Sequence, residues 1–299
     1  MKVLPASNDR KRIPVRLLKL LVGLYLLACV YLYFRQAHLI FLPTTEIEST
    51  PDAYGCKYEE VTISGEGYSL YGWYLQAYDA EAARQAFGKT LIYFHGNADS
   101  IGGNAEHSCR LSKYGFNVLV VDYRGFGKSV VGPPTEKKAY ADAESVYQYV
   151  LSQKHVTPDH LIIYGHSLGG AIAIELATHH PEASGLIAES TFTSVVEEAA
   201  TEPQYRIFPL RLLVHEKFDS LSKVPTLKMP VLFIHGDLDE VIPKEMGEKN
   251  FAAAPEPKAM VIIHGGHHVN CASVEPEKYK NAVMEFLARG MTAAAQKTK

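Results

Sequence analysis

Apolar positions along this chain come in short unbroken runs, each closed by a polar turn. TLIYFHGNA, FNVLVVDYRGFGKS, HLIIYG, GLIAES, PVLFIHGD and AMVIIHGG read as buried strands with their exits. The stretches between them have helical spacing. NAEHSCRLSKYG stops at Gly115, TEKKAYADAESVYQYVLSQKH starts on a Thr135 cap, and LGGAIAIELATHH and EKYKNAVMEFLARG follow later. Ahead of them all, YEEVTISGEGYSLYGWYLQA alternates about Gly65 to Gly67 and predicts a β-hairpin. Unbroken strands alternating with helices predict an α/β fold, a mostly parallel central sheet with helices on both faces. Ligands bind such sheets at the carboxyl ends of the strands. Polar turns collect at that edge: His95–Asn97, Asp122–Gly127, His166–Ser167, Glu189–Ser190, Asp237–Asp239 and Gly265–His268.

One run is too long for a strand. Leu20 to Phe34 carries no charge, and extending back to Ile13 admits only Arg16 and Lys19, whose side chains can snorkel. The run is apolar on every side, unlike an amphipathic core helix. It ends in bulky YLYFRQ, with no small-residue cleavage site for a signal peptidase. A transmembrane helix is the expectation. Lys2, Arg10, Lys11, Arg12, Arg16 and Lys19 precede or enter it against the single acidic Asp9. That bias puts the N-terminus in the cytoplasm and the large domain on the opposite side, periplasmic, extracellular or lumenal. The expected division is a tail and anchor over 1–35, a connector over 36–57, a catalytic domain over 58–291 with a short lid at 191–229, and a flexible tail at 292–299.

The 299 residues suffice for one large domain, and a net charge of −3 gives no reason to expect nucleic acid as a partner. Cys29, Cys56, Cys109 and Cys271 form no CxxC pair, which argues against zinc and redox motifs; they leave room for one disulfide in an oxidising compartment. No HExxH occurs and the adjacent His267 and His268 point apart, so no metal or other cofactor is called for.

Candidate chemistry centres on GHSLG, Gly165 to Gly169. An apolar strand precedes it and a helix follows, the setting of a nucleophile elbow. Glycines on both sides let strand and helix approach closely while the turn lifts the Ser167 hydroxyl off the sheet. The same turn aims the N–H of Leu168 at a developing oxyanion. A serine hydroxyl needs a base, and the base an orienting acid. Downstream, one strand ends with Asp237, Asp239 and Glu240, and another with His264, His267 and His268, in the order Ser, acid, His.

LIYFHGNADSIG, VLVVDYRGFGKSVVGPP, YGHSLGGAIAIELA, ESTFTS, FDSL, PVLFIHGDLDEVIP and GGHHVN together resemble the α/β-hydrolases, in the branch of membrane-anchored serine hydrolases of the Bem46 and ABHD groups. The resemblance runs from Leu39 onward and implies the α/β-hydrolase fold. It implies Asp239 as the acid, from HGxxDxxxP, with Asp237 left as a turn residue. It implies His267, after GG, as the base; many relatives carry Asn where this chain has His268. It implies a second oxyanion donor from HGNA, the N–H of Asn97 or next Ala98. His95, His166 and His264 are then structural, Asp122 and Arg124 pair to brace the site, and Glu189 is an alternative acid or a support.

About forty residues from Thr191 to Met229 form the short lid, with one or two helices and an apolar FPLRLL that faces the membrane or the acyl site, or else covers the sheet edge. The expected function is hydrolysis of carboxylic esters or thioesters, on acyl or lipid-like small molecules or an acylated protein near a membrane. A serine aminopeptidase-like peptidase is the alternative, with Glu197, Glu198 and Glu202 as its acidic patch. A non-catalytic binding protein on the same scaffold is the third reading.

Overall fold

A computed structural model describes residues 14–129 and 132–297. Eight strands form one sheet: β1 Glu59–Gly65, β2 Tyr68–Leu75, β3 Thr90–Phe94, β4 Asn117–Val121, β5 Leu161–His166, β6 Gly185–Glu189, β7 Val231–Gly236 and β8 Lys258–Ile263. Their spatial order is β8-β7-β6-β5-β3-β4-β2-β1. The hairpin β1–β2 pairs antiparallel and joins β4 antiparallel, while β3 to β8 run parallel.

Strand residues alternate between two buried layers, as the two-residue period of a strand requires. Ile92, Phe94, Leu119, Val121 and Ile163 face one layer; Leu91, Tyr93, Val118, Val120, Ile162 and Tyr164 face the other. The main helices are α1 Val15–Ile40, α2 Ala105–Lys113, α3 Glu136–Gln153, α4 Leu168–His179, α5 Lys244–Ala253 and α6 Pro276–Lys297. Val146 and Val150 of α3 and Ile172 and Leu176 of α4 fill the first layer. Cys109 and Leu111 of α2 and Tyr279, Val283 and Phe286 of α6 fill the second. Thr135 caps α3 by accepting the Lys138 N–H, without the glutamate of a full capping box. Sheet and helices match the expected α/β-hydrolase arrangement.

Successive strands leave β3 toward opposite sides of the sheet, so the crevice between the exits of β3 and β5 is the topological switch point. Gly96–Asn97 and Ser167 lie there.

Helix α1 is long and apolar enough to cross a membrane, with mean hydropathy 2.1 over its most apolar window and none of that window buried. It extends five residues past the expected anchor boundary, to Ile40, because nothing in Arg35–Ile40 breaks a helix and Gln36 docks on the lid. Residues 292–297, expected as part of a flexible tail, continue α6. The basic residues before Ile13 lie outside the described residues. Cys56 and Cys109 form a disulfide between the segment before β1 and α2; Cys29 and Cys271 are free thiols.

The lid region holds three single α-turns, Val195–Ala199, Leu210–Leu213 and Ser220–Lys223, and a 3₁₀ turn, Val224–Thr226, where one or two helices were expected. Ser194 and Asp219 cap the first and third, and Pro209 opens the second.

Candidate active site

Ser167 joins β5 to α4 at φ +55°, ψ −122°, the left-handed side that a non-glycine residue adopts only under constraint. Close packing supplies the constraint. A Cβ on Gly165 would stand 2.1 Å from the Gly169 carbonyl oxygen, and one on Gly169 would stand 2.0 Å from that of Phe94. Only glycine fits either place, and the backbone between them has one way to turn. The Ser167 N–H donates to the Glu189 carbonyl at 2.9 Å, and its own carbonyl accepts from Thr191 Oγ1 at 2.8 Å.

His268, on the loop after β8, points Nε2 at Ser167 Oγ, 2.9 Å away. Its Nδ1 lies 3.0 and 2.9 Å from the two oxygens of Asp239. A carboxylate only accepts, so Nδ1 carries the proton and donates it, which leaves Nε2 to accept from the serine hydroxyl. Asp239 sits in the turn after β7 and is itself held. Its Oδ1 accepts from the N–H groups of Val241 and Ile242 at 3.0 and 2.8 Å, and His235 Nε2 stands 3.3 Å from its Oδ2. Burial alone would raise the Asp239 pKa, but hydrogen bonds from His235 and His268, the neighbouring imidazole charge and the Ile242 N–H hold it well below the usual carboxylate range.

The structure therefore brings Ser167 and Asp239 together with His268. The expectation that His267 completes the set is corrected: its ring turns outward to Glu240, with Nδ1 3.0 Å from the carboxylate and the side chain half exposed. The reason is local. The His267 N–H donates to Asn270 Oδ1 at 2.7 Å, tightening a turn that sends the following ring inward. His166 fixes that same turn by donating from Nε2 to the His268 carbonyl at 2.8 Å.

The other candidates separate. Asp237 pairs with His264 Nδ1 at 2.9 Å and accepts the Gly265 N–H at 2.7 Å, a turn residue as expected. Glu189 accepts from the Tyr164 and Tyr279 hydroxyls at 2.5 Å each, away from His268, so it is not placed as an alternative acid. The expected Asp122–Arg124 pair does not form. Arg124 binds Asp142 at 2.6 Å, while Asp122 accepts the Ile101 N–H at 2.8 Å and faces His95 Nε2 at 3.8 Å. Burial lowers His95 to about 4 and pushes Asp122 up to about 7.

Leu168 is the first residue of α4, and its N–H faces the helix N-terminus beside the serine. Across the crevice a Cβ on Gly96 would lie 3.5 Å from Ser167 Cβ, so the Gly96–Asn97 backbone passes close to the hydroxyl. Asn97 is tied to the end of α1: its Nδ2 donates to the Ile40 carbonyl at 2.7 Å and its carbonyl accepts the Leu42 N–H at 2.8 Å.

Two cavities meet at Ser167. One of about 220 Å³ is mainly apolar, walled by Leu168, Phe192, Val195 and Leu213 of the domain and by Leu39 and Ile40 of α1. The other, about 190 Å³, has a mixed lining that includes Asn104, His107 and Glu189. Sequence reasoning missed the α1 wall and Gln36, the residue of α1 that is buried. Gln36 stands between Arg35 and Ala37, and its local sequence carries no signal of that role. Among the described residues no group of His, Cys, Asp and Glu could hold a metal ion. A nucleophile, an oriented base, a fixed carboxylate and an apolar trough suit acyl transfer from an ester to water.

Comparison with known proteins agrees in fold. A family model described as serine aminopeptidase, S33, matches residues 86–223, a span that contains Ser167 and ends before Asp239 and His268. The chain is 30% identical over 230 residues to protein bem46 of Schizosaccharomyces pombe, covering 73% of this chain and 74% of that protein. It is 34% identical over 218 residues to the lysophosphatidylserine lipase ABHD12 of Danio rerio, covering 65% of this chain and 54% of that protein. Among solved structures, the esterase Pf2001 of Pyrococcus furiosus superposes with TM-score 0.65 at 23% identity, over 83% of this chain and 98% of that one.

Proposed function

The chain belongs to the Bem46 branch of the α/β-hydrolases, and from that premise we propose that it is a membrane-anchored serine hydrolase cleaving carboxylic esters or thioesters of lipid-like acyl groups. The hydrogen-bonded series Ser167–His268–Asp239 at the mouth of an apolar cavity carries this reading. As the ester carbonyl reaches Ser167 Oγ, His268 Nε2 takes the hydroxyl proton and the oxygen attacks the carbonyl carbon. Asp239 stays ionised and stabilises the imidazolium. The N–H groups of Leu168 and Asn97 receive the oxyanion. His268 then hands its proton to the leaving alcohol or thiol, and water, activated by the same nitrogen, releases the acid and frees Ser167.

The peptidase alternative needs an ionised acid for a substrate amine. Glu198 is the acidic residue of the apolar cavity, and burial, then Glu202, raises its pKa. The rest of the lining, with Phe192, Val195, Leu210 and Leu213, is mainly apolar and supports an acyl chain over an ammonium group. The lipase name carried by one relative points the same way.

Helix α1 is read as a single-pass anchor, with the N-terminus cytoplasmic and the hydrolase domain on the opposite side. The basic residues of the N-terminal segment support this, and so does the Cys56–Cys109 disulfide, a bond kept in oxidising compartments.

Membranes carrying the full chain, treated with a fluorophosphonate, test the reading. Labelling of wild type, absent in Ser167→Ala, is the expected result, together with hydrolysis of p-nitrophenyl butyrate in preference to aminoacyl anilides. A folded wild type that neither labels nor turns over any ester would overturn it.

A further inference from the structure

The anchor helix is joined to the site at three levels. At its end, the Ile40 carbonyl and Leu42 N–H are tied to Asn97, and Leu42–Pro43 pairs with Ala98–Asp99 as a short parallel ladder. One turn back, Gln36 uses both ends of its amide. Oε1 accepts the N–H groups of His215 and Glu216 at 2.8 and 2.9 Å; Nε2 faces His215 Nδ1 at 2.6 Å and the Leu213 carbonyl at 3.3 Å. Deeper still, Tyr25 stacks on Phe208 with ring centroids 5.5 Å apart, and its hydroxyl donates to the Ile207 carbonyl at 2.9 Å.

Tyr25 precedes Arg35 by ten residues, about 15 Å along a helix axis, in the uncharged part of the run. Whatever touches Tyr25 shares the environment of that run. The lid segment that does so turns apolar side chains outward around one cation, Arg211, whose exposed guanidinium reaches back to within 3.7 Å of Glu197 and is long enough to snorkel to the headgroups. Ile207 and Leu212 point outward at 67% and 81% exposure. The Arg206 guanidinium folds back onto the carbonyls of Ala200 and Thr201 at 3.0 and 2.8 Å, and the exposed Ile207 carbonyl is satisfied by Tyr25. The apolar cavity at Ser167 lies along this seam. Leu210, Leu213 and Val214 wall it from the lid, Leu32 and Leu39 from the helix, and Leu39 is itself exposed on the surface.

We propose that the lid segment from Ile207 to Leu213 is immersed in the outer leaflet beside α1, and that the seam between them is a lateral portal through which the acyl chain of a bilayer-resident ester reaches Ser167. The proposal rests on the hydrolase reading above. It makes the helix a wall of the acyl site as well as a tether, and it names the substrate class as esters whose acyl chain resides in the leaflet. Such a lipid leaves the bilayer along a continuous apolar path, so the chain is never exposed to water.

The test uses the full chain in phosphatidylcholine vesicles and two readouts. For depth, Leu212→Trp is read with brominated lipids; the native Trp73 is fully buried and gives a constant background. Strong quenching is expected at position 212 and none for Glu66→Trp, on the distant hairpin turn. An unquenched Trp at 212 overturns the proposal. For turnover, Ile207→Glu and Leu212→Glu should each cut kcat/KM on monooleoylglycerol in vesicles at least tenfold and leave p-nitrophenyl acetate within twofold. Unchanged rates on both substrates, or equal losses on both, also overturn it. A wild type with no esterase activity on either substrate would sink the hydrolase reading, and the quenching result would still decide where the lid sits.

Discussion

His268 Nε2 lies 2.9 Å from Ser167 Oγ, while the ring of the preceding residue turns to Glu240 on the surface. Neighbouring histidines thus have opposite fates, and substitution separates them. His268→Ala removes the base of the proposed mechanism and should lower kcat about 10⁴-fold with little change in the amount of folded protein. His267→Ala loses only a surface contact with Glu240 and should keep kcat within about twofold. Esterase rates of the two variants, side by side, decide. Equal losses would mean that the loop, and not one ring, carries the effect.

The elbow depends on glycines that meet backbone. Gly169→Ala puts a methyl 2.0 Å from the Phe94 carbonyl oxygen, and neither chain can withdraw without shifting β3 or α4. Overpacking of this kind costs roughly 3 kcal/mol or more. Loss of folded protein, or a steep fall in thermal midpoint along with activity, is expected. Gly23→Ala is the control: it sits in α1 with nothing within 4 Å of its added carbon, and should behave as wild type.

The parallel strands were legible because each is buried on both faces and so reads as an unbroken apolar run. The hairpin was legible from alternation about Gly65–Gly67. Strand order is a long-range property, and local pattern carried it only through the family resemblance. Ser167 was legible because its chemistry needs two glycines at fixed spacing. Asp239 came from a motif. The histidine was misassigned because 267 and 268 share one local sequence; the turn closed by Asn270 chooses between them, and an Asn three residues after His267 was the one hint. Gln36 was hidden for a related reason. Its partners are backbone groups near residue 215, and nothing in a linear pattern announces a contact across that distance.

Asp122 gives the fold a distinctive pH response. Burial raises it to about 7, so between pH 4 and pH 7 the folded chain holds a proton that the unfolded chain has released. Stability from this group is therefore greatest at the acid end and declines as pH rises through that window. The penalty reaches about 4 kcal/mol and is constant above it. Asp122→Asn keeps an oxygen to accept the Ile101 N–H and does not titrate. The thermal midpoint of the variant, measured against wild type in detergent, should gain from pH 4 to about pH 7 and level off above it. His95, lowered to about 4, has the opposite slope and loses stability as pH falls below its unfolded value, so the rise above pH 6 is the part that reports Asp122. A constant difference across that range would mean that Asp122 titrates alike in both states.

The Cys56–Cys109 bond links stability to the side of the membrane on which the domain lies. It closes a loop of 53 residues. Tying such a loop in the unfolded chain is worth up to about 4 kcal/mol. Cys56→Ser and Cys109→Ser should each lower the thermal midpoint, and the double variant should lose no more than either single one, because each already removes the whole cross-link. The same pair reports orientation in cells. With the domain opposite the cytoplasm, the two thiols should resist alkylation by a maleimide–polyethylene glycol until a reductant is added, in denatured samples quenched with acid, while Cys29 and Cys271 react without it. Four reactive thiols before reduction would place the domain in a reducing compartment and reverse the proposed topology.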